Sequence, residues 1–182
     1  KILWTRNAIR PHNNPERRIA ALGAMLEKFR NAPLDFFMNI VKETPSPSGF
    51  RRAAEDSLSV SFPLWERHSS FDSPMKRPAS LAGESFLLGI VLNVILPSLH
   101  AFAALNDDKV LGRYALDAYL SLPPEQENSI IRAASEKWFA GPEKKRTLLD
   151  SAVANQGMLH IYKEFCSKAQ GRCAQCLLSC SS

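Results

Sequence analysis

FLLGIVLNVILPSLHAFAAL, residues 86–105, decides the fold class. The run is about as long as a bilayer-spanning helix, which needs roughly 20 apolar residues. Asn93, Pro97, Ser98 and His100 interrupt it, and polar groups are costly in lipid. It therefore reads as the central core helix of a globular bundle, apolar on nearly all sides. Pro97 lacks an N–H and is expected to kink or break that helix. Asn93 and His100 then need hydrogen-bond partners inside the protein.

Outward from this run, helical spacing repeats. NNPERRIAALGAMLEKF offers Asn14 as N-cap and Pro15 at the first helical position, with Ile19, Leu22, Leu26 and Phe29 as the inward stripe. APLDFFMNIVKE is a shorter helix ended by TPSPSG, and SGFRRAAEDSLS makes another. Residues 62–80 hold three prolines and several aromatics. They read as an ordered, irregular connection in which Trp65 and Phe71 are packed anchors.

After the central run, Asp107 is expected to cap a helix carrying Val110, Leu111, Tyr114 and Leu116. PPEQENSIIRAASEKWF opens with Pro124 and acidic residues, which suit the positive end of a helix dipole, and Gly141–Pro142 stop it. EKKRTLLDSAVANQGMLHIYKEFC reads as one long helix with Leu149, Val153, Gln156 and Leu159 along one stripe, delivering Cys166 at its end. No stretch alternates with period two for more than a few residues. The expected architecture is all-α: an irregular bundle of about seven helices around the central apolar helix, with a C-terminal cysteine-rich metal loop. Residues 1–165 form the helical domain and 166–182 a tail packed on it. The chain starts at Lys1 rather than Met, and is expected to be the C-terminal part of a longer protein.

With 45% hydrophobic residues, the chain has enough apolar side chains for a sizeable core, so disorder is not the default. The net charge of +5 is modestly basic, which fits either a solvated surface or a face for phosphate. Arg6, Arg10, His12, Arg17 and Arg18 cluster beside Trp4. Arg17 and Arg18 fall in the first turn of a helix, where backbone N–H groups also point outward. They are candidates for phosphate oxygens, or else an exposed edge paired with Glu16 or Glu27. Arg67, His68, Lys76 and Arg77 lie in the irregular connection and are candidates to extend the same surface, although sequence alone does not place them. Lys144, Lys145 and Arg146 start the last helix, the wrong end for the dipole unless solvated or bound to an anion.

Every cysteine lies in the last 17 residues: Cys166, Cys173, Cys176 and Cys180, spaced C-x6-C-x2-C-x3-C. A C-x2-C pair lets two thiolates face one ion, and four cysteines complete a set for zinc or a [4Fe–4S] cluster. Free thiols in a reducing cytosol and two disulfides in an oxidising compartment are the competing readings. His160 is an alternative fourth ligand to Cys180, or a partner of the helix C-terminus. Gly-x-Ser-x-Gly, His-Glu-x-x-His and a phosphate-cradling glycine loop are all absent. Glu125, Glu127 and Glu136 read as a solvated helix face.

The C-x6-C-x2-C part of the tail resembles the iron–sulfur loop of endonuclease III-type helix-hairpin-helix glycosylases. That family places its fourth cysteine after five residues, where this chain has three. Its helix-hairpin-helix and catalytic Asp have no counterpart here, so the likeness bears on the metal alone and favours iron–sulfur over zinc. A second likeness runs through most of the chain. RNAIRPHNNPERRIAALGAML, LWERHSSF, ESFLLGIVLNVILPSLHAFA, ALDAYLSLPPEQENSIIR and GMLHIYKEFCSKAQGRCAQC resemble, in order, five blocks of an uncharacterised bacterial family known only as a domain of unknown function. That family reliably includes three of the cysteines, and Phe165 stands where its pattern has Tyr. Its members are about twice as long, and their N-terminal half resembles nucleases of the Asp…Glu-x-Lys type. The likeness implies that any hydrolytic centre lies outside these 182 residues.

The leading functional expectation is a non-catalytic accessory module of a nucleic-acid-processing, cytoplasmic bacterial protein. Its partners would be DNA or RNA and the N-terminal half that the family likeness implies, with no membrane. The alternatives are a structural or protein-interaction module, which a large exposed apolar patch would favour, and a thiol redox sensor.

Overall fold

The computed structural model describes residues 14–29, 32–139 and 148–168. Among these, eight helices and one two-stranded ribbon form, so the chain is all-α as expected. The helices are α1 (Pro15–Phe29), α2 (Pro33–Glu43), α3 (Pro47–Leu58), α4 (Pro63–Arg67), α5 (Glu84–Leu105), α6 (Lys109–Leu120), α7 (Ser129–Trp138) and α8 (Ala152–Ile161). The ribbon pairs β1 (His68–Ser70) with β2 (Ser73–Pro74), antiparallel. The chain divides into two compact units, with the boundary between Ala115 and Leu116, inside α6.

Prolines start the first four helices. Each occupies an opening position, where its missing N–H has no intrahelical partner to lose. The stiff TPSPSG stretch is therefore shorter as a loop than expected, because Pro47 already begins α3. Phe29, Phe36 and Phe37 pack at centroid distances of 4.9–5.4 Å and hold the end of α1 to the start of α2. This tilted and edge-on geometry suits the ring quadrupoles.

Along α5 the core lies on one side. Leu87, Leu88, Val91, Leu92, Ile95, Leu96, Leu99 and Ala103 are buried, and α5 packs against α2 and α3. Pro97 does not break the helix, which runs continuously from Glu84 to Leu105. The turn Val91–Ile95 widens to π geometry, and the Leu96 N–H donates to the Val91 carbonyl, just ahead of the proline. A π turn is the usual way a helix absorbs a disturbed hydrogen-bond ladder. Asn93 and His100 lie on the exposed side, not in the core. Asn93 Nδ2 donates to the Gly89 carbonyl at 3.0 Å, and His100 Nδ1 bonds the Gly112 carbonyl at 3.3 Å.

The turn after α5 places Asp107 at φ 52°, in the left-handed region. The cap of α6 is Asp108 rather than Asp107: its Oδ1 accepts the Leu111 N–H at 2.9 Å. Leu111 and Ala115 are the buried residues on this part of α6, while Val110 is exposed. Tyr114 donates its hydroxyl to the Thr44 carbonyl at 2.5 Å and meets the Phe50 ring edge-on. Burial raises the Tyr114 hydroxyl above its ordinary pKa.

In the second unit the residues PPEQEN form no helix, and α7 starts only after Asn128. The Asn128 side chain accepts the N–H groups of Ile130 and Ile131 at 3.0 and 2.9 Å, so a neutral cap replaces the expected acidic first turn. The expected long last helix is cut at Ser151, whose Oγ accepts the Ala154 N–H at 3.3 Å. Ile131, Ala134 and Met158 make the core, with Trp138, Phe139, Leu149, Leu159 and Tyr162 packed against it. Gln156 Nε2 donates to Glu125 Oε2 at 2.9 Å, so Glu125 ties to α8 rather than only facing solvent. The helix continues through a π turn, Tyr162–Cys166. Gly141 and Pro142 lie outside the described residues.

Candidate functional site

Asn14 and Arg17 open α1, and both reach into the irregular connection. Arg17 is fully buried. Its Nη1 donates to the Trp65 carbonyl and, at 3.1 Å, to that of His68. Its Nη2 donates to Ala79 and Ser80 carbonyls at 3.2 and 2.7 Å. Asn14 Nδ2 donates to the Ser69 carbonyl at 2.6 Å. Carbonyls at the ends of the short helix α4 and of the ribbon need donors from outside those elements, and the planar guanidinium supplies donors in a fixed fork. Burial lowers the Arg17 pKa from its ordinary value, and the nearby Glu66 carboxylate opposes that shift.

Arg17 therefore does not offer its guanidinium to a phosphate. That expectation is corrected: an arginine in the first turn of α1 faces the interior because the neighbouring loop presents carbonyls there. Arg18, the next residue, is exposed, with its guanidinium carbon 5.6 Å from the Phe86 ring centroid. The inward stripe of α1 is Arg17, Ala21, Met25 and Phe29. Ile19 and Leu26, expected inside, are 57% and 61% exposed.

The connection itself is a presented hairpin. Short helix α4 buries Trp65 and leads into β1. The Met75 N–H donates to the Arg67 carbonyl at 2.7 Å and the Ala79 N–H to the Glu66 carbonyl at 2.9 Å, closing its base. Trp65 is a buried anchor as expected. Phe71 touches its ring edge-on at 4.8 Å but is 70% exposed, so it is not a packed anchor. Arg67, Lys76 and Arg77 are exposed around the base. Between α1 and the α3–α4 connection an open groove of about 580 Å³ is lined by Ala24, Glu27, Lys28 and residues 59–62. Lys28 is engaged there, donating to the Ser57 carbonyl at 2.6 Å.

Of the other expected site residues, Cys166 is half-buried at the end of the π turn after α8, and His160 is exposed one turn before Glu164. Lys168 lowers the Glu164 pKa, chiefly by hydrogen bonding. Arg6, Arg10, Lys144, Lys145, Arg146, Cys173, Cys176 and Cys180 lie outside the described residues. Among the described residues no group of three or more His, Cys, Asp or Glu side chains is placed to hold a metal ion.

Fold and geometry together define a helical protein whose best-built polar feature holds its own loop in place. The chain belongs to the family described as protein of unknown function (DUF2851), whose pattern matches residues 1–128. No curated protein and no solved structure matches it.

Residues that carry the sequence likeness meet in space. Asn14 and Arg17 of the first block bond to Trp65, His68 and Ser69 of the second. In the fourth block, Asn128 caps α7, Glu125 holds Gln156, and the Leu122 carbonyl accepts the Ala152 N–H at 3.2 Å. These side chains set architecture.

Proposed function

We propose that the chain is a non-catalytic accessory module of a cytoplasmic, nucleic-acid-processing protein, held to the rest of that protein by the outer face of α5. One observation carries the attachment, and it equally supports the structural or protein-interaction reading; the nucleic-acid part rests on the +5 charge and the family likeness. The most apolar eighteen-residue window of α5 has a mean hydropathy of 2.0, long and apolar enough to cross a membrane by length and composition, yet only 44% of it is buried. Val94, Pro97, Ala101, Ala104 and Leu105 are exposed, Leu105 to 86%. A contiguous apolar helix face marks an interaction surface. The partner we assign is the N-terminal half that the family likeness implies. The test is co-expression with that half, comparing the unaltered chain with a V94E/L105E double variant. Both positions are exposed, so the variant is expected to keep its helix content and unfolding midpoint and lose co-purification. Unchanged co-purification of the variant would overturn the reading.

The tail supplies the second element of this function. In it Cys166, Cys173 and Cys176, with Cys180 or His160 as the fourth ligand, hold a [4Fe–4S] cluster or zinc. Support comes from the C-x6-C-x2-C-x3-C spacing and from Cys166 standing at the end of a helix. Protein purified without oxygen is expected to show an absorbance band near roughly 400 nm with iron and sulfide, or else about one zinc per chain. Neither metal would remove this element. The third element, phosphate contact by Arg6, Arg10, Arg18 and Lys144–Arg146, is supported by the +5 charge and the exposure of Arg18.

A further inference from the structure

We infer that the hairpin spanning residues 66–77 is a contact surface for single-stranded nucleic acid, with Phe71 as the stacking platform and Arg67, Lys76 and Arg77 as the phosphate contacts. The inference rests on the nucleic-acid reading for its ligand class and assigns a surface that reading does not contain.

Phe71 sits between β1 and β2 and is 70% exposed, touched at one side by the Trp65 ring. A ring held by one neighbouring ring and otherwise largely in solvent can accept a base. Stacking on an aromatic side chain contributes to binding without regard to sequence. It also requires an unstacked base, which single strands offer and duplexes do not.

The cations are exposed at the other end of the hairpin from the ring. The bond from the Met75 N–H to the Arg67 carbonyl puts Arg67 and Lys76 at the base of the hairpin, with Arg77 next in the chain. At about 3.3 Å per residue, the four positions from Arg67 to Phe71 span at most roughly 13 Å, within reach of neighbouring nucleotides. Asp72 is exposed at the tip, so phosphates are disfavoured there and favoured at the base. Glu66, the acidic residue beside Arg67, already accepts a hydrogen bond from the Ser61 hydroxyl at 2.6 Å.

Pre-organisation completes the argument. Arg17 grips the connection at Trp65 and His68 on one side and at Ala79 and Ser80 on the other. The buried guanidinium fixes both feet of the hairpin, so little ordering is left to be done on binding.

Fluorescence anisotropy with a labelled oligothymidylate, run on the full chain from low to high salt, tests this. The chain is expected to bind the single strand, more tightly than a duplex of equal length, and to weaken with salt. Phe71→Ala should lower affinity by about 5- to 150-fold while leaving the salt slope unchanged. Phe71→Trp should restore binding. The R67A/K76A/R77A variant should flatten the slope of log K against log salt by about 2, at roughly 0.7 per phosphate. Circular dichroism checks that these exposed substitutions leave the fold intact. If the chain binds and Phe71→Ala binds equally well, the hairpin assignment fails while the nucleic-acid reading stands. If neither strand form binds at low salt, both fail. Binding of anionic phospholipid vesicles in place of the oligonucleotide also overturns the assignment.

Discussion

Of the two helices that anchor the first unit, α1 turns an arginine inward and Ile19, Leu22 and Leu26 outward, while α5 buries Leu87, Leu88, Leu92, Leu96 and Leu99 and leaves Val94 and its terminal Leu105 outside. Each faces a different neighbour. Against α1 lies a connection with backbone carbonyls to satisfy, so donors are needed there. Against α5 lie α2 and α3, which offer apolar side chains, so dispersion and water exclusion hold the contact. An amphipathic helix thus takes its sidedness from what its neighbour lacks, and hydrophobicity alone misreads it.

The sharpest way to break that comparison is to remove the donor fork. Arg17→Ala would leave the buried Trp65 carbonyl and the part-buried carbonyls of His68, Ala79 and Ser80 without their donor and is expected to destabilise by about 2–4 kcal/mol, as the loss of several charge-assisted hydrogen bonds does. Amide exchange should then rise selectively across residues 65–80. Leu99→Ala, at a fully buried position on α5, is expected to cost about 2–5 kcal/mol through lost contacts and a cavity, with exchange rising along α5 instead. Urea unfolding gives the magnitudes, and exchange mapping gives the locations. If Arg17→Ala loosens α5 as much as residues 65–80, the two helices do not differ as described.

A smaller effect sharpens the same contrast through pH. The Glu55 carboxyl of α3 is pushed above its ordinary pKa, first by burial and then by Glu84 and Asp56, while Arg51 opposes the shift. Its folded pKa exceeds the unfolded value, so the native state holds more protons in the window between them. Stability then falls as pH rises from the ordinary carboxylate range through the folded value. Glu55→Gln should raise the unfolding midpoint modestly at neutral pH and have no effect in acid below both values. An equal shift at both pH values would sink this account. Arg17, also displaced by burial, stays charged throughout that window, so no comparable pH effect is expected from α1.

Much of the helical order was legible from local chemistry. Pro15 at a helix start, the break near residues 44–46 and the apolar run at 86–105 each depend on neighbours a few residues away, where backbone sterics and periodicity act. Capping was read less well. Asp107 and Asp108 are adjacent and chemically alike, and only the path of the chain at φ 52° decides that Asp108 caps α6. Pro124 and its acidic neighbours looked like a first turn, but Asn128 offers the better acceptor and starts α7 later. For the candidate site, sequence marked Arg17 as a cation near a helix start and had no signal for its burial. Its partners are 48–63 residues away, and backbone carbonyls leave no trace in residue type.

The sequence by itself determined an all-helical protein with a long apolar helix and modest positive charge, because period, proline placement and composition act locally. The tertiary structure alone decided which face of each helix is inside, which aspartate caps, and that Phe71 stands in solvent at the tip of a hairpin whose feet Arg17 holds. Those outcomes depend on which distant groups meet, and hydrogen-bond demand from a remote loop can outweigh the hydrophobic preference of a single helix face.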